Sequence, residues 1–296
     1  MKKFWVIFLA VTLVFCMTAC SATGFASKGQ VNKLVNNYAD ENGNIQVKAS
    51  INYTDADGHE VVVEIMSKLH LSKAPITVAN FVALVLDGHY DNIVFDSLYS
   101  ARNTVGLLAG AYTYDAEAQH EEEDAKLVYD QHEDADFTIK GEFVSNFYEA
   151  NDLTHQLGAL VMWHDTYTSS ADYDTANTYF YMTCSSGNLN DDGEVVYSND
   201  KNFAVFATIA EGGISVYYDG DIQHQGISQI PAWVLDDIYL NNQNYNSIEV
   251  NGEFESDGDP VVDSCLSRLV YVSGWEFVED QDLSGLVDFA EKYRNN

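Results

Sequence analysis

The chain has 296 residues, with 46 acidic against 14 basic side chains and a formal net charge of −32. Hydrophobic residues make up 46% and aromatics 13%, which is too apolar for a disordered chain despite the charge. So acidic a surface repels phosphate backbones and lacks the basic patch that nucleic-acid binding requires.

In chain order, Lys2 and Lys3 precede an apolar run from Phe4 to Phe15. That pattern is the charged and hydrophobic start of an export signal, and the run is too short for a comfortable membrane span. Met17-Thr18-Ala19-Cys20 resembles a bacterial lipobox, in which the cysteine is lipidated after residues 1–19 are removed. An ordinary signal peptide cut near Ala19 is the other reading. The lipobox reading is preferred, and it makes the protein exported and anchored through Cys20 to the outer face of a bacterial cell membrane. The acyl chains on such a cysteine meet the two-chain requirement for stable anchoring. Residues 20–44, rich in Ser, Gly, Asn and Ala, are expected as a flexible tether, with a short helix over Val31 to Tyr38 that nothing requires to pack. Cys16 leaves with the signal. Cys184 and Cys265 remain, and a disulfide and two buried free thiols stay open as alternatives.

The body is expected over residues 45–280. Ile45 to Tyr53 alternates apolar and polar, as a strand does. Asp55-Ala-Asp57-Gly58 signals a turn, and Val61 to Met66 returns as a second strand. The acidic turn lacks the ligand ladder of an EF-hand, so it is read as solvated and no metal is expected. Thr77 to Leu86 has helical periodicity and ends at Asp87-Gly88. Ile93 to Tyr99, Gly158 to Trp163, Tyr179 to Thr183, Ala204 to Ile209 and Ser267 to Phe277 read as further strands. Insertions are expected at about 111–137, 187–200 and 214–263. Pro231 opens a short helix within the last of them. Residues 281–296 close the chain as a helical extension, with Leu286, Phe289 and Ala290 on one face. Many short strands with few helices predict a mostly β fold, a barrel or sandwich.

The run Lys73 to Leu84 (KAPITVANFVAL), followed by Gly88 to Phe95 (GHYDNIVF), is similar to the cyclophilin family. Four later blocks agree in order: Thr138 to Phe143 (TIKGEF), His155 with Gly158 to Met162, Asn177 to Met182 (NTYFYM), and Phe203 to Phe206 followed by Glu211-Gly212. The resemblance covers about Gln46 to Gly213. It implies a closed eight-stranded antiparallel barrel capped by two helices, peptidyl-prolyl cis-trans isomerase activity without a cofactor, and proline-containing peptides or exported unfolded proteins as partners. Rotation about an X–Pro bond must overcome ~20 kcal/mol. In the family an arginine beside the prolyl nitrogen and a glutamine lower that barrier electrostatically.

This chain departs from the pattern where the chemistry is done. Phe95 matches the motif phenylalanine, but Asp96 and Ser97 follow it, and Ser97 stands at the family's arginine. A serine presents no fixed positive fork, so Arg102 is the nearest surrogate. Gly106 to Gly110 (GLLAG) lacks the family glutamine, and Tyr179 replaces a second one. The resemblance puts Phe95, Leu107, Leu108, Met162, Trp163, Tyr179, Tyr181 and Phe203 around a proline-binding groove, with Trp163 crowding it. Phe180 and Phe206 are assigned to core, whereas Tyr181 and Phe203 stay open between core and groove. Two functions follow: an isomerase or folding helper with weakened or absent catalysis, or a non-catalytic peptide- or protein-binding lipoprotein on the same barrel.

Overall fold

A computed structural model describes residues 24–101, 104–115, 126–130, 136–165, 173–186, 188–189, 195–196, 201–238, 261–262, 270–279 and 281–295. In chain order the elements are α1 (Lys28–Tyr38), β1 (Ile45–Thr54), β2 (Glu60–Leu69), α2 (Pro75–Leu86), β3 (Ile93–Ala101), β4 (Thr104–Asp115) and β5 (Lys126–Asp130). Then come β6 (Leu160–Met162), β7 (Phe180–Ser186), β8 (Asn188–Leu189), β9 (Val195–Val196), β10 (Ala204–Tyr218) and β11 (Asp221–Ile227). A helix over 232–238, here α3, follows Pro231. β12 (Val261–Val262), β13 (Tyr271–Phe277) and α4 (Ser284–Tyr293) complete the chain.

Eight strands close a ring in the order β4, β3, β13, β1, β2, β10, β6, β7 and back to β4. Every pairing in it is antiparallel. The alternation read in β1 and β2 becomes strict burial of every second side chain, which is what a barrel with one interior face requires. The fold is therefore mostly β, a closed eight-stranded antiparallel barrel.

Helices close its ends. Phe81 of α2 sets its ring against Phe180 of β7, Phe206 of β10 and Trp275 of β13. Three strands thus meet one helix side chain inside the barrel. α4 lies beside α2 and buries Leu286 and Ala290 in the same core. At the other mouth α3 buries Val234 and Ile238. It meets β1 near Tyr53, eight residues and about 26 Å along the strand from Ile45.

Several expectations change. The tether through residue 44 is shortened, because α1 packs: Ser27 and Gln30 form a reciprocal capping box, and Leu34 is buried in the main core. The stretch at 111–137 contains the end of β4 and all of β5, paired with each other. Segment 187–200 contains the β8–β9 pair. Residues 214–218 belong to β10 inside the barrel rather than to an insertion, and β11 hangs from β10. The final helix forms over Ser284–Tyr293 and packs on the core through Leu286 and Ala290. Cys184 is a buried free thiol, pushed up to about 12 first by burial, and Cys265 lies outside the described residues. Residues 1–23 also lie outside them, and no described helix is long and apolar enough to cross a membrane.

Candidate functional site

Period-two alternation divides the barrel wall into two apolar populations. Inward go Leu107 and Ala109 of β4, Leu160 and Met162 of β6, Phe180 and Met182 of β7, and Ala204 and Phe206 of β10. Their neighbours form a separate cluster: Val161, Tyr181, Phe203 and Val205, with Ala159, and with Leu108, Leu153 and Trp163 packed against them. Register lines these up. Leu108 pairs with Tyr181, Tyr181 with Val161, and Val161 with Val205. One row of side chains thus crosses four strands on the outside of the barrel. At its other end Leu108 pairs with Ser97 of β3. Ser97 is the position that the resemblance gives to the arginine.

The structure divides the expected groove residues accordingly. Leu108, Trp163, Tyr181 and Phe203 come together on the outer row. Phe95, Leu107 and Met162 are each at most 2% exposed and belong to the barrel interior. Phe180 and Phe206 are core, as expected. Tyr179 is half-buried, and its carbonyl accepts from the Trp163 N–H at 2.9 Å. Arg102 and Cys20 lie outside the described residues. Arg294, the arginine that is described, is committed elsewhere: its Nε donates to Asn80 Oδ1 at 2.9 Å, and its guanidinium stands 4.1 Å from the Phe137 ring centre.

Aromatic rings cover the row. Trp163 stacks on Phe203 at 5.8 Å and 27°, and meets Tyr181 edge-on at 6.4 Å. Tyr181 is 0% exposed and Phe203 6%, so both rings are covered by protein. The buried polar tip of Tyr181 is satisfied by His155, whose Nε2 lies 2.9 Å from the hydroxyl. His164 flanks the other side. Its two ring nitrogens reach the carbonyls of Asp165 and Asn202, at 2.8 and 2.6 Å, and its ring lies 4.7 Å from Phe203.

The loop before β6 carries Leu153 and His155. Asn151 holds it, donating to the carbonyls of Glu142 and Val205 at 2.9 and 3.0 Å. Gly106 leaves room for the Tyr181 ring: a Cβ there would lie 2.4 Å from Tyr181 Cδ2. In the sequence, His155 is visible only as a match in a family-like block. A lone histidine gives no sign of its partner, and its place behind Tyr181 depends on a loop that comes back across β7. Chemically the row offers rings, aliphatic surface and one buried histidine–tyrosine pair. This suits an apolar ring or a peptide segment more than bond-breaking chemistry.

A family model for the cyclophilin type peptidyl-prolyl cis-trans isomerase/CLD matches residues 27–219. Among solved structures, a cyclophilin type peptidyl-prolyl cis-trans isomerase from Cryptosporidium parvum aligns at 13% identity, over 80% of this chain and 99% of its own, with a TM-score of 0.37. The Mimivirus cyclophilin aligns at 15% identity, over 85% of this chain and 96% of its own, also at 0.37. A cyclophilin from Hirschia baltica aligns at 12% identity, covering 88% and 83%, with a TM-score of 0.31. No curated protein sequence matches the chain.

Proposed function

The chain belongs to the cyclophilin-type peptidyl-prolyl cis-trans isomerase family, and from that premise we propose that it acts on proline-containing peptides or unfolded exported proteins with weakened or absent isomerase catalysis. The observation that carries the reading is Trp163. Its ring lies against Phe203 and Tyr181, and both are buried beneath the row. The charge pattern adds to this, since Ser97 stands where the family carries its arginine. With these rings covered and Ser97 in the arginine's place, the barrel would hold a peptide without stabilising the twisted amide. This favours the second reading, a non-catalytic binding module on the same scaffold.

The test is a protease-coupled isomerase assay on the chain from Ser21 onward, with a short X–Pro peptide. Little or no acceleration is expected. A turnover near that of ordinary cyclophilins would overturn the reading. Trp163→Ala should bare Phe203 and Tyr181 and tighten peptide binding by about tenfold, in line with the gain from desolvating one apolar ring. An unchanged affinity counts against Trp163 as the cover.

We propose further that the protein is exported and lipid-anchored through Cys20, a reading supported by Lys2, Lys3, the apolar run to Phe15 and the small residues before the cysteine. Cys20→Ser should release it from the membrane fraction, and continued retention would rule out that anchor.

A further inference from the structure

At the mouth of the barrel closed by α3, the turn between β1 and β2 gathers three metal-type donors. Asp55, Asp57 and His59 each offer one ligand atom, and these atoms all lie within 4.8 Å of one another. Asp55 is 8% exposed, Asp57 faces solvent and His59 is half-buried. The turn is organised around Asp55: its Oδ1 accepts the backbone N–H groups of Asp57 and His59 at 2.9 and 2.8 Å. Its Oδ2 is left to face His59 Nδ1 at 3.2 Å and the hydroxyl of Tyr218. Tyr218 also stands 3.1 Å from His59 Nδ1.

A second observation comes from the wall behind the turn. Tyr53 is 4% exposed, and its hydroxyl is buried with no hydrogen bond of normal geometry. Asp55 follows two residues on, just past the end of β1, and is likewise buried. The charges that act on the Tyr53 hydroxyl are those of Asp237 and Asp55. Asp237, on α3, is itself crowded by Asp55, Asp236 and Asp57. A buried hydroxyl without a hydrogen bond of normal geometry thus stands beside Asp237 and Asp55, and the charges acting on it are of one sign.

We propose that this turn binds one divalent transition-metal ion through Asp55, Asp57 and His59, with Tyr218 and Tyr53 as outer hydrogen-bonding partners. Its chemistry differs from the calcium ladder that the turn lacks. Calcium and magnesium take oxygen ligands, whereas an imidazole beside two carboxylates suits zinc and its first-row neighbours. Such an ion would take the place of the Asp55–His59 contact, using the His59 tautomer whose Nδ1 carries no proton. It would neutralise the carboxylate crowding and clamp the β1–β2 turn against α3. The site lies at the end of β1 remote from Ile45, so it is independent of the outer row and of the isomerase question.

Isothermal titration of the full chain with ZnCl2 tests this, with CoCl2 absorption as a spectroscopic readout of the ligand set and CaCl2 as a comparison. One Zn2+ per chain is expected, with a rise in Tm and a Co2+ spectrum that changes when an imidazole ligand is lost. Asp57→Asn and His59→Gln should each weaken Zn2+ binding at least tenfold while keeping the metal-free Tm within a few degrees. Asp55→Asn is avoided as the sole variant, because Asp55 also builds the turn. Asp152→Asn, remote from the turn, should bind as the parent does. The proposal is overturned if Zn2+ does not bind, if Asp57→Asn and His59→Gln bind like the parent, or if Ca2+ binds in place of Zn2+.

Discussion

Glu142 shows what a single side chain contributes to this barrel. It is fully buried. Its Oε1 and Oε2 accept the N–H groups of Ile76 and Thr77 at 3.1 and 2.8 Å, the first free donors of α2. Ala74, at the helix start, supplies no side-chain cap, and Pro75 needs none. In the sequence, Pro75 and Glu142 each stand within a family-like block. Nothing in the two blocks signals a contact between residues more than sixty positions apart. Burial pushes the Glu142 carboxyl up to about 7 from 4.5, against the pull of the two N–H groups. The folded state then holds this proton more tightly than the unfolded one. Its contribution to stability is fully present below about pH 4.5 and is lost as pH rises through about 7, by at most about 3 kcal/mol. Urea unfolding of wild type and Glu142→Gln across pH 4–8 checks this. The wild type should lose stability relative to the variant between pH 4.5 and 7, and parallel pH profiles would remove Glu142 as the cause.

Strands and helices were legible to different degrees, for physical reasons. β1 and β2 were plain because every second residue is buried. β11 was invisible because six of its seven residues are exposed, so no alternation marks it. β6 is three residues long with all three buried, which leaves no period to read; it stands out only as a short apolar run within Gly158 to Trp163. The outer row was half legible. Family likeness identified Leu108, Trp163, Tyr181 and Phe203, but only register separates them from inward-pointing Leu107 and Met162, since one step along a strand reverses the face. The last helix looked like an extension because its apolar stripe is narrow. In the structure Leu286 is 0% exposed, and the carbonyl and N–H of Asn295, just beyond α4, pair with Thr138. Leu286→Ala should therefore cost about 2–5 kcal/mol, as deletion from a core does. Asp288→Ala, on the exposed side of the same helix, should stay within about 0.5 kcal/mol. Denaturant midpoints measure both, and similar losses would mean that α4 is not a core element.

At the scale of the whole molecule the charge dominates. The net charge is −32, yet the lysine–carboxylate bridges among the described residues are few: Lys48 with Glu64 and Glu276, Lys73 with Asp152, and Lys140 with Asp174. All of these join at least partly exposed side chains, so each adds little. Most of the described carboxylates therefore meet other carboxylates through solvent, and folding brings them closer than the unfolded chain does. Salt acts on this repulsion more than on the few attractions. The screening length falls from about 30 Å at 0.01 M to about 8 Å at 0.15 M, from the size of the barrel to the spacing of neighbouring side chains. Stability should accordingly rise with NaCl over that range and flatten above it, whereas a protein held by its ion pairs would weaken. Thermal unfolding at fixed pH in 0.01, 0.05, 0.15 and 0.5 M NaCl, with a chelator present to exclude metal binding at the β1–β2 turn, separates the two cases. A Tm that falls with salt would show that the paired lysines outweigh the unpaired acids.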